Sequence, residues 1–334
     1  MKKTILSFLV GISLGLLGTN VSAQSYKAEK TIAVPGDGGY DYAFIDQQNR
    51  RLYTSHGTAV NVIDLETEQV IGTISGMKGV HGIAVVNDLN RGFISDGKGS
   101  AAVAFDTKTF KVIKTIPISG SDADGIIYDP FSKKIFVFEG DAKAAVVVDP
   151  ETLKEVKSIQ LDGGPEFAVA DGNGLIYNNL EDKGSLDVID TKTLKVKETY
   201  DLSPCGGPTG LALDKENNRA FSVCRENKGM SVIDITTGKV IQTLRIGAGV
   251  DAVVYDPVTK LIIVSNADAT ATIFKQNSAD DYSYVQTLTT QTRAKTMAID
   301  LSTHKIYFPV ADYKAGTRNV VPGSFKVLVY KLEQ

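Results

Sequence analysis

The sequence predicts an all-β protein, a single seven-bladed β-propeller, and three observations carry that prediction. Short apolar runs bounded by turn residues recur with a period of about 42 residues along nearly the whole chain. Each repeat holds four such runs. A lone copy of the fourth run stands at the N-terminal end, where it can complete the last repeat.

The stretch from Pro208 to Ile246 shows one unit in full. Its apolar runs are Leu211 to Leu213, Ala220 to Val223, Met230 to Ile235 and Lys239 to Leu244, separated by Asp214 to Asn218, Arg225 to Gly229 and Thr236 to Gly238. The first run ends at Asp214, and similar runs end at Asp46, Val86, Asp129, Asp171, Asp256 and Asp300. Seven residues beyond each, or six beyond Asp171, a second strand opens, at Tyr53, Phe93, Phe136, Tyr177, Phe221, Ile263 and Tyr307. Third strands follow as VNVID, AVAFD, VVVD, LDVID, SVIDI, ATIFK and FKVLVY. Fourth strands share a K-V-x-x-T-I pattern, as in KVIKTI (111–116) and KVIQTL (239–244), but only six follow a third strand. The seventh copy is KAEKTI (27–32). Pairing it with the last third strand closes a ring and removes the exposed edges of an open array.

Met1 to Ala23 stands apart. Two lysines, an apolar run over Ile5 to Leu17 and the small residues Val21 to Ala23 form the pattern of a secretory leader. The run is shorter than the ~20 apolar residues of a membrane span, so the propeller is expected over residues 24–334, periplasmic or secreted, without a membrane span and as a monomer. Two cysteines in an exported chain suggest one disulfide, Cys205–Cys224, since both fall on one face of the fifth blade. The formal net charge of −3 grows more negative once Lys2 and Lys3 leave, which argues against a general affinity for polyanions.

Three second strands, YTSH (53–56), FVFE (136–139) and IVSN (263–266), resemble degenerate forms of the YVTN repeat. The chain is in this respect similar to the bacterial and archaeal YncE-like β-propellers. The resemblance covers nearly all of residues 24–334 and implies the propeller fold. It leaves function open, since that architecture hosts enzymes and binding modules and some members are described as DNA-binding.

Chemistry is expected at one end of the channel. First strands start, and second strands end, on the face that carries the links between blades, here called the upper face. The first-strand starts are Asp41, His81, Asp124, Glu166, Thr209, Asp251 and Lys295; the second-strand ends include His56, Asp96, Glu139, Cys224 and Asn266. Ligand-binding candidates are therefore Asp41, His56, His81, Asp124, Glu139, Glu166, Asp251 and Lys295, with Asp96 in the same expected basin. His56, His81 and Glu166 are the candidate ligands of a divalent metal, because imidazole and carboxylate together suit such ions. A polar rim on a water-filled channel is the plainer alternative. His304 is expected on the opposite face, and the aspartates that end strands are expected to bond their own turns. The long link ADYKAGTRNVVPGS (311–324) in blade 7 is a candidate binding loop.

Three functions compete. The first is an exported binding module holding a small molecule, a metal or a protein partner at the upper face. The second is a metal-assisted hydrolase or lyase, lactonase-like, using His56, His81 and carboxylates. The third, a DNA-binding propeller, needs a basic face, and blades 1 to 4 offer the reverse.

Overall fold

The computed structural model describes residues 24–333, so the leader expected over 1–23 lies outside the described residues. Seven antiparallel four-stranded sheets stand around a central channel. In blade 5 the strands are Pro208–Asp214, Arg219–Cys224, Gly229–Asp234 and Lys239–Arg245, in that order from the channel outward. The other blades repeat this plan. Apolar clusters lie between blades rather than within them: Tyr53 and Val62 of blade 1 pack with Ile83 and Phe105 of blade 2, and equivalent clusters fill the other six interfaces. Each blade thus buries both of its faces against neighbours, which is why one repeat alone is not a stable unit.

The ring closes as the sequence predicts. Ser25–Ala33 pairs antiparallel with Lys326–Glu333 and becomes the outer strand of blade 7. Tyr26, Ile32 and Val34 are buried there. Gln286 of blade 6 grips the strand, its Oε1 accepting from the Tyr26 amide at 2.9 Å and its Nε2 donating to the Tyr26 carbonyl at 3.0 Å. Across the seam, Lys305 lies 2.7 Å from Glu29 and 2.9 Å from Glu68, and Lys30 also pairs with Glu68.

The strand-ending aspartates act in turns. Asp46 accepts from the Gln48 and Asn49 amides, and Asp256 from Val258 and Thr259. The following residues Arg50 and Lys260 are left-handed, at φ 54° and 57°. Turn and carboxylate together reverse the chain at the lower face. There His304 places Nδ1 2.6 Å from Asp256 Oδ2. Two blades depart from the repeat. The outer hairpin of blade 6 is extended, Asp268–Ser278 with Asp281–Thr292, and the inner strand of blade 7 shrinks to Ala298–Ile299. No helix among the described residues is long and apolar enough to cross a membrane.

Candidate functional site

A bulge in the inner strands aims the upper-face residues. In blade 2, Val80 pairs with Asp96 but Ile83 pairs with Ile94, so His81 and Gly82 together oppose Ser95. The same register shift spans Asp124 in blade 3, Glu166 in blade 4, Thr209 in blade 5 and Asp251 in blade 6. A bulge of this kind re-aims a side chain that regular alternation would turn elsewhere. In blade 2 its free amide is held by a hydroxyl from the second strand, Gly82 N–H donating to Ser95 Oγ at 2.7 Å; in blade 1, where the inner strand starts only at Ala43, Asp41 N–H donates to Ser55 Oγ at 2.8 Å.

These positions meet at the mouth of the channel. His81 Nδ1 lies 2.8 Å from Asp41 Oδ2 and 3.3 Å from Asp124 Oδ1. Lys295 Nζ lies 3.4 Å from Asp41 Oδ1 and also pairs with Asp251. Arg225 continues the chain, 2.5 Å from Asp251 and paired as well with Glu181. Glu166 faces Asp124 and Glu181. Thr209 instead donates to the Val250 carbonyl at 3.1 Å and stays out of the network. Below this layer the rings of Tyr42 and Phe167 stack with centroids 5.3 Å apart. Both also line an apolar cavity of about 690 Å³ beneath them, with Ile83, Ile126 and Val169.

The second-strand ends turn the other way. Each packs on the link that enters its own blade: His56 on Gly36, Glu139 on Gly120, Leu180 on Gly163 and Asn266 on Gly247. Asp96 accepts from the Lys78 and Gly79 amides at 2.9 and 2.8 Å. Cys224 uses the same position to form its disulfide with Cys205, at a Cα separation of 5.2 Å. His56 is 3 % exposed, with Nδ1 3.0 Å from Asn61 Oδ1 and its ring 4.0 Å from that of Phe325. The structure therefore brings together Asp41, His81, Asp124, Glu166, Asp251 and Lys295. It places His56, Asp96 and Glu139 inside the blades, where they brace the links. Arg225, Glu181 and Tyr42 complete the mouth and were not singled out in the sequence.

Charge at the mouth is unevenly compensated. Burial would raise the Asp41 carboxyl, but the His81 hydrogen bond and the Lys295 charge hold it below its ordinary value. Burial would lower His81, yet the Asp41 hydrogen bond and the Asp124 charge raise it. Asp124 feels the same His81 and Lys295 charges, but its buried Oδ1 accepts no hydrogen bond of good geometry. Burial, then the Asp41 charge, push it up to about 7, and Glu166 goes up to about 9 through burial and then Asp124. Crowded carboxylates of this kind favour either a proton or a bound cation. Ligand atoms of Asp41, His81 and Asp124 lie within 4.8 Å of one another. One ion with ligand distances near ~2.1 Å fits that spacing with modest side-chain adjustment. His56 and Glu166, expected as ligands, are not in this set.

The assembly defines a seven-bladed β-propeller with a charged upper mouth. No protein-family model matches the sequence, and no curated protein does. Among solved structures, a chain described as Kuenenia stuttgartiensis hydrazine synthase is similar, with a TM-score of 0.73 over 86 % of this chain and 97 % of that one. The two are 17 % identical, so the likeness is one of fold.

Proposed function

We propose that the protein is an exported binding module whose upper mouth holds a divalent cation through Asp41, His81 and Asp124 and presents it to a small ligand. The carrying observation is the convergence of one imidazole and two carboxylates from three blades on a common point, with ligand atoms within 4.8 Å. Mixed nitrogen and oxygen donors suit zinc or manganese better than calcium. Tyr42 and Phe167 form a floor that would keep the cation at the rim. The YVTN-like second strands support placing the chain beside the YncE-like propellers, and the leader pattern and disulfide support a periplasmic or secreted location.

A metal-assisted hydrolase or lyase is the second reading. It is favoured by Glu166, whose raised affinity for a proton suits a general acid beside a cation. Binding of DNA finds no support at this mouth, where Asp41, Asp124, Glu166, Asp251 and Glu181 outnumber the bases among them. The test is metal content of the purified protein after exposure to zinc and manganese, followed by dialysis. About one retained ion per chain, lost in Asp124→Asn, supports the site. Absence of retained metal, or equal retention in the variant, removes it.

A further inference from the structure

Beside the triad the upper face holds a second cavity, of about 450 Å³, lined in part by Tyr40, Arg225, Arg293, Lys295, Tyr313 and Arg318. Tyr313 and Arg318 come from the long blade 7 loop, which is braced over the mouth rather than left loose. Tyr313 bridges to Val320, and the Gly323 amide donates to Asp37 Oδ1 at 2.8 Å. The Arg293 guanidinium sits 3.9 Å over the Tyr313 ring and donates to the Thr317 carbonyl at 3.2 Å. Tyr40 in turn donates its hydroxyl to the Arg293 carbonyl at 2.7 Å.

The cavity has more cationic than anionic wall. Arg225 and Lys295 are engaged by Glu181, Asp251 and Asp41. Arg293 and Arg318 form no ion pair with a carboxylate among the described residues. Arg293 and Arg318 both line this concave space, and guanidinium groups suit an oxyanion, which each can hold in a bidentate manner. Lys295 joins this cavity to the triad, because it touches Asp251 on one side and Asp41 on the other. We infer that the cavity under the blade 7 loop is a subsite for a small carboxylate- or phosphate-bearing molecule. A ligand anchored there by its oxyanion would reach the proposed cation with a second donor. That last step alone rests on the proposed metal site.

Isothermal titration of the purified protein with malonate, and separately with inorganic phosphate, tests the subsite. The first series is run on protein stripped of metal by a chelating resin, in metal-free buffer, so that no metal contributes. The subsite predicts saturable binding of at least one of the two anions, weakened about tenfold or more in Arg318→Ala and in Arg293→Gln. Arg318 is exposed, so its variant is expected to fold. No saturation with either anion, or equal affinity in Arg318→Ala, overturns the inference. A second series with manganese separates the two readings. Tighter malonate binding that disappears in Asp124→Asn supports both, whereas binding by the metal-stripped protein without any manganese response keeps the anion subsite and removes the metal.

Discussion

His81 of blade 2 and Asp41 at the start of blade 1 meet across the channel mouth at 2.8 Å. The contact exists because a bulge turns His81 inward, while Asp96 at the end of the neighbouring strand, paired with Val80, turns into the link. Two rings of residues at the same height thus have opposite tasks. One faces the channel and the other braces the blade.

Glu139 belongs to the bracing ring and carries an unusual charge. It is fully buried, neither carboxylate oxygen has a partner of good hydrogen-bond geometry, and a Cβ on Gly120 would meet it at 1.9 Å. Burial pushes it up to about 7. A carboxyl raised in the folded state destabilises the fold most above pH 7, and the penalty fades as pH falls towards the ordinary glutamate range. Glu139→Gln is expected to stabilise the protein by ~2–3 kcal/mol at pH 8 and by little near pH 4.5. Urea unfolding at both pH values checks this; an equal effect at the two would mean that ionisation is not the cause.

Removal of Gln24 to Val34 takes away the outer strand of blade 7 with three buried side chains, Tyr26, Ile32 and Val34. At roughly 1.5–3 kcal/mol for each, the loss is on the order of 5 kcal/mol or more. The truncated protein should melt well below the full chain and associate through the exposed edge of Lys326–Glu333. An unchanged melting temperature by calorimetry would show that the ring does not depend on this strand.

The disulfide ties the link into blade 5 to the end of that blade's second strand, with a sequence separation of 19. Constraint of a loop of that size contributes about 3 kcal/mol in the chain-entropy picture. Cys205→Ala with Cys224→Ala should lower stability by up to that amount without changing the strand content seen by circular dichroism. Two reactive thiols in non-reduced protein would contradict the bond itself.

Much of the fold was legible because the repeat writes its own register. Aspartates mark the lower turns, and K-V-x-x-T-I marks outer strands, so the displaced copy near the N-terminus exposed the closure. Most of the site was legible for the same reason, since Asp41, His81, Asp124, Glu166, Asp251 and Lys295 hold equivalent places. Height along the strand does not give direction, however. His56, Glu139 and Cys224 share the height of the mouth, but alternation along the strand sends their side chains to the links. Arg225 and Glu181 stand one residue past Cys224 and Leu180, where alternation returns the side chain to the channel. Applying the period of two at the strand ends would have found them. The inner-strand bulge carries no strong local signature beyond Gly82, Gly125 and Gly210 in three of the blades.

The cation site is tested most directly by titrating manganese or zinc into matched histidine variants. Isothermal titration should show about one site per chain in the wild type. Affinity should fall at least about tenfold in His81→Ala, as expected for loss of one ligand of three. It should stay unchanged in His56→Gln, which keeps a hydrogen-bonding partner for Asn61, and in His304→Ala on the far face. Equal affinity in all three variants, or greater loss in His56→Gln than in His81→Ala, would contradict the triad of Asp41, His81 and Asp124.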